Sequence, residues 1–299
     1  LNKITALLKK GKILVSDGAW GTFLQAKGLK PGECPELWNI DHPDEVLDIA
    51  ISYFKAGADM VETNSFGGNR FKLGLYGLGN RVVEINRVAA AISRRAAGND
   101  RIVLGSIGPT GKILMMGDVT EEELYNAFRE QACALESGGA DGIILETLSD
   151  LDEARIAVAA ARENTACEVI CTMTFDNIGP GENRTMMGVS PSEMVDVIIQ
   201  AGADIIGSNC GNGISGMVDV VKEIRKVNKT IPVLIHANAG LPIYLEGKTI
   251  FPESPDEMAT HVNALVEAGA NVIGGCCGTT PEHIRKIARV IRSLSNSRS

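Results

Sequence analysis

Lys55-Ala56-Gly57-Ala58-Asp59-Met60-Val61-Glu62 reads as a helix end, a glycine cap, a tight turn and the start of a buried strand. Three further stretches repeat it: Gly138-Gly139-Ala140-Asp141-Gly142-Ile143-Ile144-Leu145, Ala201-Gly202-Ala203-Asp204-Ile205-Ile206-Gly207 and Ala268-Gly269-Ala270-Asn271-Val272-Ile273-Gly274. A helix, a short loop and an apolar strand in that order mark a βα unit. Filling in between the repeats gives eight strands, at 12–16, 59–64, 102–107, 142–147, 169–174, 204–210, 232–238 and 271–277. They are short and rich in Val, Ile and Leu, as strands covered on both faces should be. Helical patterns fall at 44–56, 120–137, 150–162, 190–201, 214–227, 254–268 and 281–293. Thr120-Glu121-Glu122-Glu123 is a capping box, and Ser190-Pro191 and Ser254-Pro255 each place an N-cap before a proline at the first helical position.

Eight alternating units predict a single closed (β/α)8 TIM barrel over 1–299, with an amphipathic helix in 1–11 and a frayed polar tail at 293–299. A doubly wound open sheet is the alternative. It runs to fewer strands and carries a Gly-rich phosphate loop after the first. The longer loops, 25–42, 66–80, 108–119, 176–189 and 240–251, all follow strands, which puts them on the catalytic face of a barrel.

Composition narrows the chemistry. The chain has 299 residues, 44% of them hydrophobic, enough to bury a large core. A net charge of −8 argues against nucleic acid and against an anionic membrane surface. No apolar run approaches the roughly 20 residues that span a bilayer. The first ten residues lack the long apolar core and small-residue cleavage site of a secretory signal. Seven scattered cysteines, an odd number, then read as reduced cytoplasmic thiols or metal ligands rather than a disulfide framework.

The polar residues collect at strand ends. Asp17, Glu62 and Asn64, Glu146 and Thr147, Cys210, His236 and Asn238, and Cys276 and Cys277 all close apolar strands. In a parallel barrel these ends share one rim, and charged groups there are expensive without partners. Gly274-Gly275-Cys276-Cys277-Gly278-Thr279-Thr280-Pro281 is the most unusual stretch. Adjacent cysteines reach one centre only where the strand stops being regular, because neighbouring side chains point to opposite faces. Read alone, the pair could be buried thiols or a strained vicinal disulfide. With Cys210 on the same rim, three thiolates suit zinc and leave its fourth position open, as in a catalytic site. Such an electron-rich centre activates water poorly. It suits holding another thiol as a thiolate, which points to thiol alkylation. Asp17 and Glu146 are candidates to hold a cation such as an amino acid's ammonium, with Asn64 a further substrate contact. An ion pair for Glu146, a turn role for Asp17 and a structural role for His236 are the plainer readings. His42, His261 and His283 are expected to face solvent.

Asp17-Gly18-Ala19-Trp20-Gly21-Thr22, Glu62-Thr63-Asn64-Ser65-Phe66-Gly67, Gly105-Ser106-Ile107-Gly108-Pro109-Thr110-Gly111, Leu145-Glu146-Thr147, Asn209-Cys210-Gly211 and the double-cysteine stretch together resemble the homocysteine S-methyltransferase family. Within it, Asn238-Ala239-Gly240-Leu241-Pro242 and Cys277-Gly278-Thr279-Thr280-Pro281 look most like the homocysteine-binding module of cobalamin-dependent methionine synthase. Ala237 departs from the proline expected there. The resemblance implies zinc on Cys210, Cys276 and Cys277, which activate the substrate thiolate. It also implies Asn238 as a weak fourth ligand that the substrate sulfur displaces, and Asp17 and Glu146 on the homocysteine ammonium. The methyl donor it implies is methylcobalamin, a corrinoid brought by a partner protein or domain. No folate, corrinoid or reactivation domain follows the barrel in this sequence, so an excised module and a free-standing enzyme are both expected forms. A small donor, S-methylmethionine or betaine, is the alternative; the 4% aromatic content disfavours it. A non-catalytic zinc and thiol-binding module that docks a corrinoid protein, and a metal-free lyase using Glu62 and Asn64, are the readings from other classes.

Overall fold

Eight parallel strands form the central sheet of the computed structural model, which describes residues 2–179, 181–245 and 248–297. They are β1 (Leu14–Val15), β2 (Met60–Glu62), β3 (Ile102–Ile107), β4 (Gly142–Leu148), β5 (Glu168–Met173), β6 (Ile205–Gly213), β7 (Val233–Asn238) and β8 (Val272–Gly275). From β2 to β8 each pairs in parallel with the next, and β8 pairs with β1, so β1 and β2 are the two edges that meet at the seam. At the seam between β1 and β2, Asp59 N–H donates to Val15 O (2.7 Å) and Val15 N–H donates to the Asp59 carboxylate (2.8 Å). The predicted barrel is the observed one.

Strand alternation divides the core. Leu14, Met60, Ile102, Leu104, Ile144, Ile170, Ile205, Leu234 and Val272 form one buried cluster inside the barrel. Val15, Val61, Val103, Ile143, Val169, Ile206, Val233 and Ile273 point the other way, into the larger cluster under the helices. The predicted N-terminal helix, Lys3–Lys9, plugs the bottom with fully buried Ile4. Its first turn is held by the buried Glu168 carboxylate, which accepts from Ile4 N–H (2.7 Å) and Thr5 N–H (2.8 Å).

The four repeated stretches perform one task four times. In each, the Asp or Asn that opens an even-numbered strand donates its N–H to the preceding strand, and its side chain accepts an N–H from the same residue. The pairs are Asp59 with Val15, Asp141 with Val103, Asp204 with Val169 and Asn271 with Val233. The glycine two residues before takes φ between 105° and 112°, a left-handed conformation that other residues avoid. An arginine from a neighbouring helix donates to that glycine's carbonyl: Arg292 to Gly57, Arg94 to Gly139, Arg162 to Gly202 and Arg225 to Gly269. Arg94, Arg162 and Arg225 also bond the Asp or Asn side chain.

The helices read from the sequence are present, and short ones at Gly21–Ala26, Trp38–Asp41 and Arg70–Gly74 join them. Val82–Ala97, unread in the sequence, is the helix after β2; its N-cap Arg81 makes no side-chain cap bond, so no start signal marks it. The stretch 254–268 is two helices, Pro255–Thr260 and Val262–Ala268, meeting at His261. The loops 176–189 and 240–251 contain β-hairpins, Asp176–Gly179 with Glu182–Arg184 and Ile243–Leu245 with Lys248–Ile250. The tail does not fray at 293: the last helix runs Pro281–Ser297, and 298–299 lie outside the described residues. His283 does not face solvent. It is buried, with Nε2 3.0 Å from Glu253 O and Nδ1 accepting from Thr280 N–H (3.1 Å), so it fastens the last helix to the loop after β7.

The strand-opening acceptor gives a test. Asp204→Ala leaves the Val169 N–H without its partner and should cost about 1–3 kcal/mol in urea unfolding. Asp204→Asn keeps an acceptor, as Asn271 does naturally, and loses only the part-exposed pair with Arg162. It should cost under about 1 kcal/mol. Equal losses for the two variants would refute this account of the repeat.

Candidate active site

β8 stops at Gly275, so Cys276 and Cys277 lie just past its end, where the sequence required the regular strand to fail. Cys276 N–H still donates to Ala237 O (2.7 Å), and Thr279 Oγ1 donates to Cys276 O (2.8 Å), which closes the turn. A side chain at Gly275 would collide with Thr279 Oγ1 at 2.3 Å, so this turn tolerates only glycine. On β6, Cys210 takes φ +62° and the register with β7 slips between Cys210 and Gly213. Both departures aim sulfur at one point: the Sγ atoms of Cys210, Cys276 and Cys277 lie within 4.8 Å of one another. All three are free, half-buried thiols, so the vicinal disulfide is not formed.

The three sulfurs interact as an incomplete set. Hydrogen bonds from Cys276 and Cys277 hold the Cys210 thiol far below its usual range. The same bond to Cys210 pushes the Cys276 thiol well up and the Cys277 thiol up to about 12. A cation bound by all three would favour their deprotonated forms together. Tetrahedral zinc with roughly 2.3 Å bonds needs sulfurs about 3.8 Å apart, which this spacing accommodates. Beside them Asn238 Oδ1 is buried without a hydrogen-bond partner, while its Nδ2 donates to Gly211 O (3.2 Å). The donor set fits zinc, with the Asn238 side chain in contact with Cys210.

The carboxylates come from the ends of β1, β2 and β4, and Asp17 adjoins the cysteine turn, its carbonyl accepting from Gly275 N–H (2.8 Å). Asp17 is 1% exposed; its Oδ2 accepts from Trp20 Nε1 and from Glu62 N–H, each at 2.8 Å, and its Oδ1 from Ser16 Oγ (3.1 Å). Asp17 thus belongs to the β1–β2 seam as well as to the site. Glu146 is 5% exposed, accepting from Ser106 Oγ on β3 and from Asn209 Nδ2 (3.4 Å). It makes no ion pair with an arginine. Glu62 is a third buried carboxylate, with Oε1 3.2 Å from His236 Nδ1. Burial raises Asp17 above its ordinary range, opposed by His236 and its hydrogen bonds. Burial, then the Asp17 charge, holds Glu62 well above its range. Burial, then the Glu62 charge, does the same to Glu146. Burial lowers His236. Burial raises all three carboxyls and neighbouring carboxylate charge adds to it for Glu62 and Glu146, so a cation beside them would favour their ionised forms.

Thiols and carboxyls line one cavity of about 260 Å³, with Trp20, Phe66 and His236 among its walls. That is slightly below the roughly 300 Å³ at which ordinary small-molecule sites begin, a size for an amino acid rather than a nucleotide. Asn64 also lines it; its Nδ2 is committed to Pro35 O (2.7 Å), tying the loop after β1 to the loop after β2. The structure thus brings Asn64, Glu146, Cys210, Cys276 and Cys277 to one cavity, with Asn238 beside the cysteines; Asp17 does not line it but is hydrogen-bonded to Trp20 and Glu62, which do. Sequence reasoning gives Glu62 a role only in the lyase alternative and quotes Ser106 and Asn209 in motifs without a role. All three continue an inward-facing alternation, Met60-x-Glu62, Leu104-x-Ser106 and Ile205-x-Gly207-x-Asn209, and that periodicity was the available signal.

The homocysteine S-methyltransferase family profile matches residues 14–291. The methionine synthase of Mycobacterium tuberculosis is 34% identical over 301 residues, covering 95% of this chain and 25% of that protein. That of Mycobacterium leprae is 33% identical over 294 residues, covering 94% and 24%. The chain therefore spans about a quarter of the length of these relatives. Among solved structures, the metallated homocysteine methyltransferase MmuM from Escherichia coli superposes with a TM-score of 0.77 over 95% of this chain and 98% of that one, at 22% identity, a likeness of fold. With its fold, its cysteine cluster and a family match over nearly its whole length in agreement, the chain belongs to the homocysteine S-methyltransferase family.

Proposed function

We propose that this chain binds L-homocysteine in the barrel mouth and converts its thiol to a methyl thioether, giving methionine, with zinc as cofactor and a methylcorrinoid as donor. The observation that carries the reading is the meeting of three thiols with the buried carboxyls of Glu62 and Glu146 in one cavity of amino-acid size, Asp17 being hydrogen-bonded to its lining through Glu62 N–H and Trp20. Asp17 and Glu146 take the substrate ammonium, and Asn64 lines the cavity as a further contact. The ammonium supplies the positive charge that the buried carboxyls lack, so binding lets them ionise. Cys210, Cys276 and Cys277 would hold zinc, with Asn238 beside them as the group a substrate sulfur replaces. Zinc bound there supplies one thing, a thiol kept deprotonated and nucleophilic near neutral pH. The barrel residues supply position, setting the sulfur at the cavity mouth in line with an incoming methyl group.

The donor follows from the rim. Among the described residues, every exposed large apolar side chain except Val83 and Val227 lies in a loop that follows a barrel strand. Met115, Met116, Met186, Leu241, Tyr244 and Leu245 are all more than half exposed there. Concentrated apolar exposure around a small polar cavity suits a macromolecular donor that covers the mouth. Trp20, the aromatic best placed for a small cationic donor, has its indole N–H committed to Asp17. The methionine synthase relatives, four times longer than this chain, support a corrinoid carried on another domain or protein. The absence of any helix long and apolar enough to cross a membrane, among the described residues, is compatible with a cytoplasmic setting.

Zinc-edge X-ray absorption with and without L-homocysteine tests the centre. The expected result is about one zinc per chain, with three sulfurs and one lighter atom becoming four sulfurs when substrate is added. Four sulfurs throughout would mean a closed structural site and end the proposal. Turnover with methylcobalamin and none with S-methylmethionine or betaine is expected; the reverse would reassign the donor.

The buried carboxyls give a second, independent prediction. Glu62 is raised in the folded protein, so folding favours its protonated form. Its cost is absent below the unfolded value near 4.5 and grows as pH rises toward the folded value. Glu62→Gln should match the parent near pH 4.5 and gain thermal stability over it progressively toward pH 8. A constant difference across that range would show that Glu62 does not titrate between the two states.

A further inference from the structure

Asn209 touches both halves of the site. It is fully buried on β6, one residue before Cys210. Its Oδ1 accepts from Thr147 N–H and from Thr172 Oγ1, each at 2.7 Å. Its Nδ2 donates to Thr147 Oγ1 (2.7 Å), reaches Glu146 Oε2 at 3.4 Å and lies 4.0 Å from Cys276 Sγ. Its carbonyl accepts from Thr174 Oγ1 (3.0 Å).

Those contacts fall where the backbone is strained. Among the described residues, three non-glycine positions have positive φ: Asn2 at the N-terminus, Thr147 at +61° and Cys210 at +62°. Thr147 follows the carboxyl proposed for the ammonium, and Cys210 is a proposed zinc ligand. A β-branched residue in this conformation is a true outlier and persists only where its surroundings impose it. Here Asn209 binds both the N–H and the hydroxyl of Thr147, and its own backbone leads into Cys210. Each of the two strands breaks register at this point, β4 between Leu145 and Leu148, β6 between Cys210 and Gly213.

We infer that Asn209 is a positioning residue that couples the two ends of the cavity, so that an ammonium held at Glu146 tightens the grip of the cysteines on their metal. A shift of Glu146 toward a cation moves Thr147, and Thr147 moves with the Asn209 amide, which sets Cys210. By linkage the effect is reciprocal: metal on the cysteines strengthens amino-acid binding by the same factor. This rests on the functional reading above, because it needs a cation at each end.

The probe is L-2-aminobutyrate, which has the ammonium, carboxylate and carbon chain of homocysteine and no sulfur to touch zinc. Zinc affinity of the full chain is measured by competition with a chromophoric chelator, with and without aminobutyrate. The parent protein should hold zinc about fivefold or more tightly when aminobutyrate is bound, the low end of ordinary coupling. In Asn209→Ala the ratio should fall to within about twofold of one. Asn209→Asp has the same size and retains acceptors for Thr147 and Thr172, so it serves if the alanine variant does not fold. It loses the amide donor and should lose the coupling too. A ratio that persists in the folded variants, with only their melting temperature lowered, would reduce Asn209 to a structural role. A parent that binds zinc and aminobutyrate independently would overturn the coupling and leave the proposed function standing. A parent that binds neither would overturn both.

Discussion

A closed eight-stranded barrel admits to its interior only every second residue of each strand, and that constraint shapes the rest of this molecule. At the bottom the admitted residues are apolar: Leu14, Met60, Ile102, Ile144, Ile170, Ile205, Leu234 and Val272, closed off by Ile4. One step up the same strands, the same parity admits Ser16, Glu62, Ser106, Glu146, Thr172 and His236, with Asn209 at the top of β6, all buried. The interior changes from oil to hydrogen bonds within one layer. The polar layer can exist because its members partner one another, as Ser106 does Glu146 and Thr172 does Asn209. The apolar layer beneath holds the strands at the spacing those bonds need.

The lower rim carries the other periodic device. Asp59, Asp141, Asp204 and Asn271 each clamp one strand to the next, and they do so at alternate strand pairs. Four such clamps divide the barrel into four similar units of two strands and two helices. The clamp at β1–β2 matters most for the site, because there the pairing is carried by side chains. Asp59 bridges the seam below and Asp17 bridges it above, through Glu62 N–H. Asp17 therefore serves barrel closure and, on the function proposed above, the substrate ammonium with one carboxylate. A residue with both duties is poorly placed to be replaced for the sake of either.

Much of this was legible in the sequence. The clamps were visible as a repeated Gly-Ala-Asp or Gly-Ala-Asn turn because each is local. The arginines that complete them were not, since each comes from a distant helix; Arg292 meets Gly57 across 235 residues. The cysteine cluster was legible because glycines around Cys276 and Cys277 signalled an irregular strand end. The 82–97 helix was lost because Arg81 caps nothing, and the hairpins at 176–184 and 243–250 because a two-stranded ribbon on a loop has no core to impose alternation. His283 misled as a polar residue in a helix, where only the tertiary contact with Glu253 explains its burial. Asn209 was quoted as part of a motif and left without a role, since its partners lie on three other strands.

The site itself is built against its own stability. The buried carboxyls of Glu62 and Glu146 and three mutually bonded thiols line the barrel mouth, with Asp17 hydrogen-bonded to that lining, and among the described residues no lysine or arginine lines the cavity. A chain selected only to fold would place a guanidinium there, as it does beside Asp141 and Asp204. Leaving carboxyls and thiols short of positive charge costs stability in the free protein. On the function proposed above, a cationic group of the ligand and a metal held by soft sulfur donors would supply that charge, so the same imbalance that weakens the empty barrel would be what selects its occupants.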